Sequence, residues 1–451
     1  MSLRICLTVL LALLLLQACA QAPQEAPPPS SRRPYSLPAV PAALLYKDPA
    51  LARHALADSS GIALFASEAA RRAGTAEVKI YPEEYAAFAD AFAALPDTAM
   101  LALLRRKGLR KWTAEELAAL PPMREPFRYG QDTLLPLKGL RVALDPGHSA
   151  GSLAEAVIEG KAVRMQPSAR TGGQAVGFYE AHLTLATAHL IRQQLEAMGA
   201  EVFMTRSQPG LSALGTTFAQ WKQQQLGPYL QSEVRAGRMS ADRAAAWKQA
   251  PDADLFFKLY NPLDLRTRAA QINAFRPHLT LIIHYNVHEP NWRKAQGGYV
   301  QPAPENYCMA FVPGAFMPGE LGSPEERLAL LRLLLTQDLP ASLALSDAFV
   351  RSSDTLTGVP PVAAVNPLPY LNQYSAFAGL PGVYSRNLTL CRLVRGPMVY
   401  GESLCQDAES EFAALSRQEL TVAGMQAPAR LEAVAKAYVA ALLAFVRGRT
   451  L

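Results

Sequence analysis

The sequence predicts an α/β fold, and three segments carry that prediction. Residues 141–144 read as a short buried strand: Val142 and Leu144 are strand formers, and Asp145-Pro146-Gly147 stops the strand and turns the chain. Residues 180–198 read as a helix, because Leu183, Leu190, Ile191 and Leu195 recur on one face and Gly199 ends it. Residues 201–205 (EVFMT) read as a second strand. Strand, helix and strand in that order make a parallel pair, and in open sheets of this kind ligands gather at the strand ends. His148 stands at such an end.

The remaining segments fit around this unit. Residues 149–178 lack periodicity and read as a long surface loop, a length that is often functional in a compact domain. Residues 207–260 read as a polar, helix-prone insertion, with helical stretches at 218–225 and 240–249. A helix at 264–275 leads to the apolar run HLTLIIHY at 278–285, which reads as a central strand. A further strand is expected to begin at Gly297-Gly298-Tyr299-Val300. A long helix follows from Pro324, continuing past a break near Pro340 toward Arg351. Residues 357–382 are a Pro- and Gly-rich loop, 396–402 (GPMVYGE) a last strand, and 430–447 a closing amphipathic helix.

Ahead of the main domain at 134–451 lies a small helical region at 41–133, Ala- and Leu-rich, with helical spacing at 67–73, 83–95 and 114–120. It carries no chemical motif, and its expected role is to pack against the main domain or cover its mouth. Residues 21–40 form a Pro-rich tether, with Pro27-Pro28-Pro29. Residues 1–20 read as an export signal: Arg4 supplies a basic start, and the apolar run at 6–16 is too short for a permanent span. Leu16-Gln17-Ala18-Cys19 reads as a lipobox, which makes Cys19 a lipid anchor to the outer membrane on the periplasmic side. The alternative is an Ala18-Cys19-Ala20 cleavage site and a soluble periplasmic or secreted protein. The lipobox is the stronger reading, because Cys19 follows the apolar run directly and a polar tether comes next. The chain of 451 residues is half hydrophobic and has a formal charge of +6, a diffuse basicity that suits an anionic wall or membrane surface and does not indicate nucleic acid. Beyond the export segment stand Cys308, Cys391 and Cys405. Two readings are open, a Cys391–Cys405 disulfide or three buried thiols.

Three residues stand at comparable places. His148 follows the first strand, Glu180 opens the helix, and His284 ends the central strand. Two imidazoles and a carboxylate from separate elements are the donor set of a catalytic zinc site, whose open fourth position takes water. Such a reaction also needs a carboxylate that moves a proton, and Glu402 on the last strand reaches the same rim. Taken alone, His148 after its glycine turn has a structural reading and Glu180 reads as a helix-terminal carboxylate, whereas His284 in an apolar strand is costly to bury without a partner. The surrounding segments resemble those of the zinc-dependent N-acetylmuramoyl-L-alanine amidases of the type 3 class, in order: LRVALDPGH, YEAHLTLATAHLIRQQLEAMGAEVFMTR, LRTRAAQINAFRPHLTLIIHYNVH, GGYVQP and GPMVYGESLCQDAESEF.

That resemblance implies a mixed, mainly parallel sheet with helices on both faces. It also implies a Zn2+ cofactor held by His148, Glu180 and His284, with Glu402 as the general base. The implied reaction is hydrolysis of the amide between N-acetylmuramic acid and L-alanine in peptidoglycan or its muropeptide fragments. The chain departs from the family pattern at Ser149, in the long run to Glu180, in the 207–260 insertion, at Ile283 and at the bulky Tyr285 and Tyr400; Asn286 keeps the His-x-Asn pattern. Arg206, Arg268 and Asn273 are expected to brace strand ends. His182, His189 and His288 are expected on surfaces or loops, and Glu409 and Glu411 on a helix surface. Two other classes remain open. One is a non-catalytic wall-binding lipoprotein. The other is a zinc carboxypeptidase-like peptidase, which needs a cleft arginine such as Arg386 or Arg170 for a free carboxylate. A protein activator that displaces the N-terminal region or the insertion is compatible with either enzyme.

Overall fold

The computed structural model describes residues 35–122, 125–166, 176–292, 294–447 and 449–451. The export signal with Cys19, most of the tether, and Arg170 lie outside the described residues. The N-terminal region carries helices α1 (Tyr85–Ala94) and α2 (Asp97–Lys107), and with them a three-stranded antiparallel sheet of β1 (Ala55–Asp58), β2 (Gly61–Leu64) and β3 (Val78–Ile80) that helical spacing did not indicate. Gly61, at φ +134°, opens β2 directly after the tight turn at residues 59–60.

The main sheet is seven-stranded and mixed. In chain order its strands are β4 (Arg141–Pro146), β7 (Glu201–Met204), β8 (Leu279–Asn286), β9 (Met309–Val312), β10 (Ala376–Phe377), β11 (Val383–Ser385) and β12 (Met398–Cys405). Between β4 and β7 lie α3 (Leu153–Ile158), a separate hairpin of β5 (Ala162–Met165) and β6 (Val176–Tyr179), and α4 (Glu180–Ala197). The spatial order is β10-β11-β9-β12-β8-β4-β7. β12, β8, β4 and β7 run parallel, β9 lies antiparallel to β12, and β10 lies antiparallel to β11. This is the mixed, mainly parallel sheet that the sequence implied.

β8 has all eight residues buried, as expected of a strand covered on both faces. Alternate side chains enter two cores. Val142, Leu144, Leu281 and Ile283 join one, together with Leu183 of α4. Ala143 and Ile282 join the other, with Ile272 of α8 (Asn261–Phe275; α5–α7 belong to the insertion below). Helices therefore cover both faces. α9 (Pro324–Leu335), α10 (Asp338–Thr357) and the closing helix α11 (Arg430–Val446) complete the fold; Leu330, Phe349 and Tyr438 from these helices pack in the first core.

The insertion builds its own small core. α5 (Phe218–Gln224), α6 (Leu226–Arg235) and α7 (Ala241–Lys248) gather Phe218, Trp221 and Leu230 around Phe256 and Tyr260, which stand in a short π-helical stretch, Phe256–Tyr260, leading into α8.

Two expectations are corrected. The 149–178 segment is not a plain surface loop. Ser152 caps α3 by accepting from the Glu155 N–H, and Ala162–Met165 pairs antiparallel with Val176–Tyr179. No strand begins at Gly297-Gly298-Tyr299-Val300: Gly297 sits at φ +118°, and Val300 donates a single bond to the Arg164 carbonyl instead of joining the sheet. Cys308, Cys391 and Cys405 are free and buried, so the thiol reading holds over the disulfide. Asn273 bonds the Leu393 carbonyl and accepts from the Arg395 N–H, the bracing role expected of it.

β12 approaches its covering helices closely at Gly401. A methyl at Gly401 would lie 2.3 Å from the Tyr438 hydroxyl and 2.8 Å from the Phe349 ring. Gly401→Ala is expected to lower unfolding free energy by about 1–3 kcal/mol, measured by urea denaturation.

Candidate metal centre

The turn after β4 is held in an unfavourable shape. His148 has φ +63°, a left-handed conformation costing a non-glycine residue about 1–3 kcal/mol. Buried arginines fix it. Arg268 donates to the carbonyls of Pro146 (2.8 Å) and His148 (2.8 Å), and pairs with Asp264 (2.8 Å) and Asp145 (3.2 Å). Arg206 donates to the Pro146 (2.9 Å) and Gly147 (2.8 Å) carbonyls and to Ala181 in the first turn of α4. The two arginines thus tie the His148 turn to the helix that Glu180 opens.

His148, Glu180 and His284 each offer a ligand atom, and these atoms lie within 4.8 Å of one another. Glu180 is fully buried at the start of α4. Its Oε1 stands 3.0 Å from His284 Nδ1 and 3.1 Å from His148 Nε2, and accepts from the Tyr285 N–H at 3.1 Å. Its Oε2 meets Lys161 Nζ at 3.0 Å and the Gln406 amide at 3.2 Å. Burial alone would raise the Glu180 pKa; His148, Lys161 and the hydrogen bonds outweigh it and hold the carboxylate well below its usual range. For His148, burial opposes charge, but Glu180 and Glu159 prevail and raise its pKa. Burial pushes His284 down to about 4, which keeps that ring neutral and able to act as a ligand.

Donor set and orientation both suit a zinc ion. His148 Nδ1 faces Glu159 at 3.2 Å, an arrangement that fixes the ring and turns Nε2 inward. That buried Nε2 makes no aligned hydrogen bond despite its closeness to Glu180. Glu159 is itself fixed by the N–H groups of Ser149 and Ala150.

Glu402 pairs in register with His284 on the adjacent strand, so the two side chains share a face. Its strand runs on to Cys405, with a register shift just past Glu402. Burial and the Glu180 charge, in that order, push its pKa up to about 7, against the opposing charges of Lys161, His148 and Arg386. Tyr400, two residues before it, stacks flat on the His284 ring with centroids 4.4 Å apart. His148, His284, Tyr400 and Lys161 line a cavity of about 190 Å3, walled by Phe256 and Phe257 of the insertion and by residues 388–390.

The other singled-out residues lie elsewhere. His182 and His189 bond the backbone carbonyls of Gln426 and Ser207. The His288 N–H donates to Asp407. Glu411 is buried rather than on the helix surface, paired with Arg430 at 2.6 Å, and Glu409 is exposed. Sequence reasoning missed Glu159, Lys161 and Gln406. The only available signal was the charged pair around Gly160 in a stretch read as loop.

Part of the chain matches the family model Amidase_3, N-acetylmuramoyl-L-alanine amidase. Residues 142–301 match that amidase family. The amidase match contains His148, Glu180 and His284 and ends before Glu402. No curated protein matches the chain. Among solved amidase structures, the apo form of Ami1 from Mycobacterium abscessus is 17% identical, covers 68% of this chain and 99% of its own, and has a TM-score of 0.35. Ami1 from Mycobacterium smegmatis is 16% identical, covering 69% and 98%, with a TM-score of 0.36. The CwlD amidase from Clostridioides difficile, solved in complex with the GerS lipoprotein, is 13% identical, covering 68% and 98%, with a TM-score of 0.36.

Two predictions follow from the geometry. A methyl at Gly147 would stand 2.3–2.7 Å from atoms of the His284 ring. Gly147→Ala is therefore expected to weaken zinc affinity by about tenfold or more, read by competition with a chelating dye, while the far-ultraviolet spectrum stays unchanged. The second concerns Glu402 in metal-free protein. Its folded pKa lies above the carboxylate value of 4.5, so it favours the folded state below about 4.5, and that contribution is lost as pH rises through about 7. Glu402→Gln is expected to be more stable than the parent by a margin that grows from pH 4.5 to 7 and then levels off. A margin independent of pH in urea titrations would contradict this.

Proposed function

We propose that the protein is a zinc-dependent hydrolase of the amide between the lactyl group of N-acetylmuramic acid and L-alanine, in peptidoglycan or its fragments. The observation that carries this reading is the convergence of His148, Glu180 and His284 beside Glu402, in a chain whose residues 142–301 match an amidase family.

His148, Glu180 and His284 would hold the ion. Zinc, when bound, lowers the pKa of water toward neutrality and polarises a carbonyl. The remaining work falls to side chains of the chain. Glu402, in register with His284 on the adjacent strand, accepts a proton from the attacking water and delivers it to the departing nitrogen of L-alanine. The products are a muramic acid carboxylate and a peptide with a free amino terminus. Glu159 keeps the His148 ring in place, and Tyr400 does the same for His284 by stacking. Phe256 and Phe257 narrow the approach, so the insertion helps decide what enters. The export segment, with Cys19 as a lipid anchor, sets this reaction at the periplasmic face of the outer membrane. That reading rests on the sequence of residues 1–20.

Mass analysis of muropeptides after incubation with the zinc-loaded protein tests the proposal. Free stem peptides separated from glycan are expected, with Glu402→Gln at least about 100-fold slower and a strong chelator abolishing release. Shortened stems still joined to glycan would indicate a peptidase instead. An unchanged mixture, from both intact wall and soluble fragments, would leave only the wall-binding role.

A further inference from the structure

Arg386 follows the last residue of β11, where its N–H bonds the Val312 carbonyl at the end of β9. Its guanidinium lies over two aromatic rings, 5.2 Å from the centroid of Phe311 and 5.7 Å from that of Tyr370. Phe311 in turn packs edge-on against Tyr400, the ring that stacks on His284. The arginine is thus held on an aromatic platform that ends at the candidate metal centre. The side chain is half-buried, and among the described residues no carboxylate forms an ion pair with it. Its charge nonetheless acts on Glu402, Tyr400 and Tyr370, which sets it on the Glu402 side of the site. Two and three residues later, Leu388 and Thr389 wall the cavity.

A half-buried guanidinium without an anion is a costly arrangement unless an anion arrives. Of the other arginines around the site, Arg268 is held by backbone carbonyls and two aspartates, and Arg206 by the carbonyls of Pro146, Gly147 and Ala181, with only its buried Nη1 unpaired among the described residues. Lys161 is engaged by Glu180. Among the described residues Arg386 alone of these four is stacked on aromatic rings with no side-chain acceptor, and stacking leaves the edge of the planar fork open for two parallel hydrogen bonds to a carboxylate.

We infer that Arg386 receives a free carboxylate on the peptide side of the scissile amide. The inference deepens the amidase reading and rests on it for the identity of the peptide. The carboxylate has two sources, an acidic residue inside the stem or the terminus of the stem. Bound this way, the peptide is drawn in from its L-alanine end, with the scissile nitrogen toward Glu402. Arg386 then sets specificity through substrate binding, while proton transfer remains with Glu402.

The test is calorimetric binding of synthetic peptides to the zinc-loaded protein, so that it does not depend on turnover. Three peptides begin with L-alanine: one carries both an internal and a terminal carboxylate, one has the internal group amidated, and one has the terminus amidated. The parent protein is expected to bind the double carboxylate about tenfold or more tightly than one of the amidated forms, and the form that loses affinity identifies the source. Arg386→Met should erase that ratio while leaving affinity for the weaker peptide unchanged, and Arg386→Lys should restore part of it. In kinetics on matching muropeptides, Arg386→Met should raise KM with little change in kcat. A ratio that survives in Arg386→Met overturns the inference. So does an equal loss for all three peptides, or the absence of binding or preference in the parent. If the parent binds with this preference but cleaves no muropeptide, the amidase reading fails while the carboxylate site stands.

Discussion

The Glu180 carboxylate is the charge around which the site is arranged. A carboxylate with no solvent exposure is tolerated only where cations and donors surround it. Here two imidazoles, a lysine, a side-chain amide and a backbone N–H converge on its two oxygens. They come from four parts of the chain: the turn after β4, the start of the hairpin, β8 itself, which supplies both His284 and the Tyr285 N–H, and the segment past β12. The fold brings these parts together because β8 and β12 run parallel and in register, with β4 on the other side of β8. A divalent cation held there would take the place of positive charge now set against Glu180, with release of a proton from His148 and of Lys161 from the carboxylate.

The same logic explains the arginine pair beneath the turn. A histidine at positive φ persists only when its surroundings over-determine it. Arg206 and Arg268 do so by taking the carbonyls of Pro146, Gly147 and His148, and Arg206 extends the tie into α4 through Ala181. Strand end and helix start are therefore one rigid piece. Glu159 completes it from the other side by accepting from the two N–H groups that follow His148. Preorganisation of this kind matters because small displacements of a ligand set weaken both metal affinity and catalysis.

Much of this was legible from the residues, and what was not has physical reasons. β4, α4, β7 and β8 announced themselves through apolar runs ended by strong breakers such as Asp145-Pro146-Gly147 and Gly199. β5 and β6 are only four residues each, and their pairing to one another, not their composition, makes them strands. The Gly297–Val300 run has strand-like residues, but the positive φ of Gly297 breaks it. His148, Glu180 and His284 could be named because each stands at an element boundary. Glu402 was named from its place at the end of a late strand, where a proton-moving carboxylate was needed, and the resemblance agreed. Glu159 and Lys161 were invisible because Glu-Gly-Lys in an aperiodic stretch reads as solvated surface; tertiary folding buries Glu159 and half-buries Lys161. Arg268 was expected to be structural, but its reach to His148 depends on α8 crossing beneath β4, which spacing does not encode.

The account turns on whether these three side chains hold a metal ion. Crystals of the protein grown with zinc, measured on either side of the zinc absorption edge, test that directly. One strong anomalous peak is expected in direct contact with His148, Glu180 and His284, at full occupancy, with Lys161 withdrawn from Glu180. The absence of a peak there, with Lys161 still on Glu180, would contradict it.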